Sequence, residues 1–226
     1  LEAELANVLP FLNENSCAAI SVDGAPVGGV NENVSVIPAA TVKLIIGAIA
    51  LEVLGPDYTF TTTVQLPSVD ENGVVDGDLY LVGGGDPLLT SDDYPIEADL
   101  YPAFSTTSLD VLADQLKDAG VRRIRGAVIG DGTRYDDEFV IAAWGDDVEQ
   151  AEAGPYDALL VNDARVLGRS SVQSDPNVAA AREFWRLLSV RGIRVNNGWE
   201  SGTAPAFTPV VATVESQPLS EVVGEM

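Results

Sequence analysis

Apolar residues recur along the chain at two spacings, one typical of helices and the other typical of strands. Helical spacing predicts helices over five stretches: residues 1–12, 38–54, 105–120, 177–190 and a last one that begins at Ser220. Alternation and β-branched residues predict strands over 18–22, 26–30, 58–66, 74–82, 122–131, 192–195 and 212–219. The strand, helix, strand order in the middle of the chain is typical of an α/β (α+β) fold.

The most apolar run, residues 36–51, contains a single charged residue, Lys43. Lys43 is also the only lysine or arginine among the first 116 residues. An ammonium group is costly to desolvate, so this position predicts one of two arrangements. Either the side chain snorkels and keeps its amine in water, or the amine serves a specific purpose within a buried helix.

Residues 38–44, Pro-Ala-Ala-Thr-Val-Lys-Leu, resemble the start of the active-site helix of penicillin-binding proteins and serine β-lactamases. In that family an S-x-x-K motif sets a serine nucleophile one turn before a lysine that helps remove its proton. The resemblance assigns Lys43 as the general base and Ala40 as the nucleophile position, whose hydroxyl is lost. Thr41 is a hydroxyl about 100° away around the helix axis. The chain has no histidine, which excludes histidine-dependent nucleophilic mechanisms.

Three further segments, residues 54–64, 77–81 and 83–87, resemble the low-molecular-mass D-alanyl-D-alanine carboxypeptidases of serine peptidase family S13. The resemblance implies part of a β-lactamase/transpeptidase-like domain with a large inserted α/β domain after the S-x-x-K-type helix. The boundaries it implies are residues 1–54 and 206–226 for the partial penicillin-binding domain and 55–205 for the insertion. A smaller sub-insertion is expected near 132–161.

The family's S-x-N and K-T-G motifs are expected after the helix at Ser220, and no Lys-Thr-Gly occurs in the chain. This predicts the front half of a longer protein, or a chain cut in two. Helices gain most of their stability from packing. We therefore expect another chain or copy to complete the transpeptidase-like domain and to cover the apolar faces of residues 1–54 and 206–226.

The composition limits which binding partners are expected and where in the cell the protein is expected to act. The chain has 12 basic and 35 acidic residues and a net charge of −23, which argues against nucleic acid and anionic membranes as partners. No apolar run approaches the roughly 20 residues of a membrane span. Cys17 is the only cysteine, so no intramolecular disulfide forms, and we expect it to be a small buried residue. The absence of an initiator Met and the family resemblance predict an extracytoplasmic protein, either secreted or in the cell envelope or periplasm.

The glycine run 83–85 predicts a turn that needs positive φ at several positions. It is not a phosphate loop, because no Gly-Lys-Ser/Thr follows it. Asp86 with Asp92 and Asp93 is a weak candidate for a cation site, since the spacing matches no known ligand loop. We expect solvated acids there and no metal or cofactor.

Arg122, Arg123 and Arg125 lie close together before a strand in an otherwise acidic chain. The favoured interpretation is a solvated sheet edge that balances local acids and discourages pairing with other strands. The alternative is an anion site.

Two main functional hypotheses follow. The first is a D-alanyl-D-alanine carboxypeptidase- or endopeptidase-like protein of peptidoglycan metabolism, which would meet the stem peptide or a β-lactam but is inactive as given. The alternative is a non-catalytic pseudoenzyme that acts as a binding or scaffold module in the cell envelope. Ile46 and Gly47, where the family usually carries Thr and Ala, favour such a loss. A weaker third hypothesis, a calcium-dependent or halophilic surface protein, rests on the acidic composition alone.

Overall fold

A computed structural model describes residues 11–95, 105–143, 154–167 and 172–226. The chain divides into two compact units, Leu1–Val53 and Leu54–Met226. The helix predicted over residues 1–12 falls outside the described residues, except for its last two positions.

An antiparallel hairpin of β1 (Ala18–Val22) and β2 (Ala25–Val30) forms much of the first unit. Its turn residues Asp23 and Gly24 have φ values of 50° and 79°. Two consecutive positive φ values are the mark of the tight hairpin turn that Asp-Gly sequences favour. The predicted hairpin is therefore confirmed.

Helix α1 (Val42–Leu54) follows a short 3₁₀ turn at Ala39–Thr41. The predicted helix is confirmed, although its α-helical part begins later than Pro38 suggested, and Gly55, with φ of 89°, follows its end. Only Gly47 within α1 is buried. Among the described residues nothing covers the outer face of α1, and its burial by another chain or copy stays a prediction.

The second unit contains ten strands within the described ranges. In chain order they are β3 (Thr61–Gln65), β4 (Val74–Val75), β5 (Leu79–Val82), β6 (Leu89–Thr90), β7 (Thr107–Ser108), β8 (Arg123–Ile124), β9 (Val128–Asp131), β10 (Arg194–Val195), β11 (Trp199–Ser201) and β12 (Val210–Glu215). A five-stranded sheet has the order β11-β9-β5-β3-β12, and a three-stranded sheet has the order β10-β8-β4. Strands β5, β9 and β11 are parallel, whereas β3 is antiparallel to β5 and β12.

Two predicted strands, 74–82 and 122–131, each divide between the two sheets. Three connections lead from the small sheet to the large sheet: residues 76–78, 125–127 and 196–198. They lie side by side because the strands on either side of each are paired. Gly77 turns with φ of 147°, and its carbonyl accepts a 2.9 Å hydrogen bond from the Gly126 N–H. The apolar pattern does not show this break, because both halves of each segment face the same core.

Helices α2 (Asp110–Asp118) and α3 (Pro176–Val190) pack against these sheets. Asp175 caps α3 by accepting a 3.0 Å hydrogen bond from the Val178 N–H. The start of the helix predicted over 105–120 is different, because Ser108 lies in β7 and α2 begins at Asp110. Gly120 follows α2 with φ of 83°, as predicted for a helix end.

The last part of the chain, β12 and helix α4 (Leu219–Glu225), belongs to the second unit. Strand β12 pairs with β3 on one side. On its other side the Gln115 side-chain amide accepts from Thr213 N and donates to Thr213 O, at 3.0 and 2.9 Å. The assignment of residues 206–226 to one domain with residues 1–54 stays a prediction.

We predict that Gly126→Ala destabilises the second unit by about 1–3 kcal/mol, the range for forced overpacking. A Cβ atom there would lie 2.1 Å from Asp78 Oδ1 and 2.5 Å from the Gly77 carbonyl oxygen. Gly224→Ala is the matched control, because a Cβ at Gly224 meets nothing within 4 Å and alanine favours the helix. Urea unfolding measures both, and equal midpoints for the two variants would contradict the close-contact explanation.

Candidate functional site

The motif residues Ala40 and Lys43 lie at the start of α1. Ala40 is in the 3₁₀ turn, whose first residue Ala39 has φ of 47°, and Lys43 is the second residue of α1. Side chains three positions apart project from the same side of such a turn. The backbone therefore brings the Ala40 methyl and the Lys43 stem to one side of the helix start, as the sequence predicted.

Thr41 does not replace the missing hydroxyl. Its Oγ1 donates a 2.5 Å hydrogen bond to the Pro38 carbonyl, and its N–H donates to the same oxygen at 3.1 Å. Both interactions tie Thr41 to the turn that precedes the helix. This hydroxyl is thus a local structural group rather than a free nucleophile.

Lys43 is exposed and makes no ion pair with any carboxylate in the described part of the chain. Of the two arrangements that the sequence left open, the structure shows the amine in water. Ala40 is exposed as well. The catalytic assignments of both positions remain predictions.

The opposite side of α1 carries an open apolar groove. It is lined by Leu44, Ile45, Ala48, Ile49, Glu52 and Val53. At 100° per residue these positions lie across the helix from Gly47 and its partly buried neighbours Ala50 and Leu51. Leu44 and Val53 are 74% and 72% exposed. Helix α1 is therefore apolar all round but packed on one side only.

The glycine run lies in the second unit, directly after β5. Of its three glycines only Gly85 has a positive φ, 91°. Cβ atoms on Gly83 and Gly84 would lie 2.2 Å from the Ala158 carbonyl and 2.1 Å from the Thr61 carbonyl. The prediction of several positive φ values is wrong. Gly83 and Gly84 are required for a different reason: neighbouring backbone lies so close to them that a side chain would not fit.

Asp86, which follows the run, is 3% exposed. Its Oδ1 accepts a 2.9 Å hydrogen bond from the Leu88 N–H. Its Oδ2 lies near the Thr107 hydroxyl without a well-formed hydrogen bond. Burial raises the pKa of the Asp86 carboxyl above its ordinary value.

The weak cation-site candidate finds no support in this geometry. Asp92 accepts a hydrogen bond from the Ser108 hydroxyl, and Asp93 pairs with Arg186 at 2.8 Å. Among the described residues, no group of three or more acidic, histidine or cysteine side chains is arranged to hold a metal ion.

A buried polar pair that the sequence analysis did not single out lies beside the glycine run. Asn177 Nδ2 donates to Asp157 Oδ2 at 2.6 Å, and the Ala158 N–H donates to Asp157 Oδ1 at 2.6 Å. A Cβ on Gly132 would lie 2.2 Å from Asp157 Oδ2. Burial raises the pKa of Asp157. The pair joins the segment around Asp157 to the start of α3.

Cys17 is exposed, so the prediction of a buried cysteine is wrong. It lies directly before β1, a strand in which no residue is fully buried. The outer surfaces of the hairpin are open in the same way as the outer face of α1.

We predict that Asp86→Asn raises the free energy of unfolding at neutral pH by about 1 kcal/mol, since it removes an ill-paired buried charge. The folded-state pKa of Asp86 is raised, so the native state holds the proton more tightly. Below the unfolded-state pKa, the Asp86 carboxyl is protonated in both states and has no pH-dependent effect on stability. As the pH rises from that value to the folded-state pKa, the carboxyl increasingly destabilises the folded protein. Urea unfolding at a series of pH values should show the stability gain of Asp86→Asn only above the unfolded-state pKa of the Asp86 carboxyl.

The control for this measurement is Asp114→Asn. Hydrogen bonds from Arg191 lower the pKa of Asp114, so its contribution has the opposite sign. The control should lose stability at neutral pH and approach the parent protein as pH falls. A neutral-pH loss in Asp86→Asn would contradict the account of Asp86.

Comparison with known proteins gives a family and a fold. Residues 13–173 match the model of the D-Ala-D-Ala carboxypeptidase 3 (S13) family. A D-alanyl-D-alanine carboxypeptidase from Actinomadura sp. (strain R39) is 37% identical over 108 residues, which cover 48% of this chain and 17% of that protein.

The fold is similar to that of penicillin binding protein 4 from Haemophilus influenzae, with a TM-score of 0.72 and 17% identity. The match covers 95% of this chain and 60% of that one. The same protein complexed with a β-lactam matches with a TM-score of 0.61, 18% identity and coverage of 95% and 58%. The chain thus spans less than two thirds of the proteins it resembles. Within the described residues, no helix has the length and apolar character needed to cross a bilayer.

Proposed function

The chain belongs to the D-Ala-D-Ala carboxypeptidase 3 (S13) family, and on this premise we propose that it is a carboxypeptidase- or endopeptidase-like protein of peptidoglycan metabolism. The matched region contains both the start of α1 and the glycine run. The proposed ligands are the D-Ala-D-Ala stem peptide and β-lactams, since a structurally similar protein is known in complex with a β-lactam. Because peptidoglycan is the proposed substrate, we place the protein outside the cytoplasm.

One observation carries the chemistry of this proposal: Ala40 and Lys43 lie one turn apart at the start of an apolar helix. A serine hydroxyl at position 40 would attack the carbonyl carbon, and the Lys43 amine would accept its proton. That proton would then pass to the departing amine, and water would later release the acyl group. Ala40 has no oxygen to form the ester bond, so we propose that the chain as given is inactive.

A fluorescent penicillin tests this chemistry. We expect no covalent labelling of the chain as given. Ala40→Ser, supplied with a polypeptide that bears Ser-x-Asn and Lys-Thr-Gly, should label. Adding Lys43→Gln to that variant should slow labelling by about 10²–10⁴-fold, the usual contribution of a general base.

Thr41→Ser is the matched hydroxyl control and should remain unlabelled with Ala40 in place, because its oxygen is tied to Pro38. Gel fluorescence and intact mass measure all four proteins. Labelling of the chain as given would contradict the assignment of position 40.

The proposed partner is a further polypeptide, either another chain or a second copy, that completes the transpeptidase-like domain and covers the groove of α1. Helices that are apolar all round are found buried within larger structures. The solved protein that this chain resembles is longer, and the match covers 60% of it. Both observations favour a covering element that buries Leu44, Ile49 and Val53.

We predict that Ile49→Asp weakens association with the completing polypeptide by at least about tenfold, because a carboxylate would have to be desolvated in the groove. Val190→Asp is the matched control: Val190 is 71% exposed but lies on α3 in the second unit. Calorimetric titration compares the two variants with the parent chain. Equal affinities for all three would show that the groove is not the contact surface.

The second candidate function is a pseudoenzyme that binds peptidoglycan without turnover. Ala40 favours it, since the nucleophile position carries only a methyl group. Sedimentation with purified peptidoglycan, followed by analysis of released D-alanine, separates the two functions. Binding without release by the completed Ala40→Ser variant would favour the scaffold function.

A further inference from the structure

Two arginines share the outer face of the small sheet in the second unit, and a third, Arg122, directly precedes β8. Arg123 of β8 and Arg194 of β10 are register partners on parallel strands. Partners in a parallel pair project to the same face, with backbones about 4.8 Å apart. Ile124, the next residue in β8, faces the core, so Arg123 and Arg194 share the solvent face. Arg122 flanks them, and its carbonyl accepts a hydrogen bond from the Arg194 N–H.

The sequence-based explanation of these arginines does not hold for Arg123. Strand β8 is the central strand of the sheet, between β10 and β4. A central strand has no open edge, so protection against pairing with other strands is not needed there. Only Arg125 balances a local acid as expected, through a 3.1 Å ion pair with Asp76.

The three guanidinium groups lack carboxylate partners although the chain has 35 acidic residues. In the part of the chain that the structure describes, Arg122, Arg123 and Arg194 form no ion pair. Arg123 Nε donates to Asn196 Oδ1 at 3.2 Å, which leaves its two terminal nitrogens for another acceptor.

Two acids beside β4, Asp70 and Asp76, are engaged elsewhere. Asp70 Oδ1 accepts hydrogen bonds from the N–H groups of Asn72 and Val74, and Asp76 pairs with Arg125. Like charges at facing positions of neighbouring strands are destabilising. The sheet therefore holds Arg123 and Arg194 together at a cost that an anion between them would offset.

We propose that Arg123 and Arg194, flanked by Arg122, form a binding surface for an oxyanion group, a phosphate or a carboxylate. The planar guanidinium fork pairs with both groups through two parallel N–H···O bonds. The net charge of −23 repels a densely charged polyanion. The ligand that fits is a molecule of low overall charge that presents a single oxyanion. This surface belongs to the second unit, and the inference does not depend on the proposed function.

The test is an NMR titration of the arginine Nε–Hε signals of the ¹⁵N-labelled chain at low ionic strength. Inorganic phosphate and acetate are the two probes, and sodium chloride is the control for screening. We expect saturable shifts of the Arg123 and Arg194 signals with at least one probe and not with chloride. The probe that binds more tightly identifies the group as phosphate or carboxylate.

Two double variants with equal change of net charge separate a site from general attraction. Arg123→Gln/Arg194→Gln should weaken binding by at least about tenfold, the loss of a paired charge-assisted contact. Arg134→Gln/Arg182→Gln should bind within about twofold of the parent, since neither residue belongs to the small sheet and charge interactions weaken with distance. Arg123→Lys/Arg194→Lys keeps the charge without the fork and should bind more weakly than the parent even if the glutamine variant fails to fold.

Three results would overturn the proposal. The first is the absence of saturable shifts with both anions. The second is an equal loss of binding in the Arg134→Gln/Arg182→Gln variant. The third is full binding by Arg123→Lys/Arg194→Lys, which would show attraction by charge without guanidinium recognition.

Discussion

Apolar surface on both sides of α1 is the constraint on which the account of the site depends. On one side Gly47 is buried. The other side leaves leucine, isoleucine and valine side chains in water. Burying such side chains is worth about 1.5–3 kcal/mol each. The helix that carries Ala40 and Lys43 therefore has a strong drive to acquire a cover on the side opposite these two residues.

The second unit is organised by a different constraint, the close approach of backbone segments. Gly83, Gly84 and Gly126 each lie where a Cβ would come within 2.2 Å of another residue's atoms. These contacts bring β5 against its neighbours and align the crossing from the small sheet to the large one. The packed core of α2, α3 and the large sheet follows from that alignment. It also places Arg123 and Arg194 side by side on an outer face.

The sequence predicted elements well where one residue type decides the geometry. Asp23 and Gly24 form the turn between the two predicted strands 18–22 and 26–30, and Gly120 lies at the predicted end of the helix that contains α2. It failed where the decision lies in tertiary contacts. The division of residues 74–82 depends on Gly77 meeting Gly126, and the two are far apart in sequence.

The site was predicted as far as its local spacing allows. The relation of Ala40 to Lys43 follows from helix geometry alone, and the structure has it. The Asp157–Asn177 pair and the Arg123–Arg194 pair depend on which strands and helices become neighbours, so periodicity could not reveal them. Cys17 was misjudged because burial depends on a covering surface, and its unit leaves that side open.

Hydrogen–deuterium exchange of the chain alone tests the central claim most directly, because amide protection reports how firmly each helix is held. The account predicts that amides of α1 exchange at least about 100-fold faster than the buried amides of α3, since one-sided packing leaves α1 with little more than local stability. Protection of α1 equal to that of α3 would contradict it. Such a result would mean that α1 is already fully stabilised and that its open apolar face calls for no covering partner.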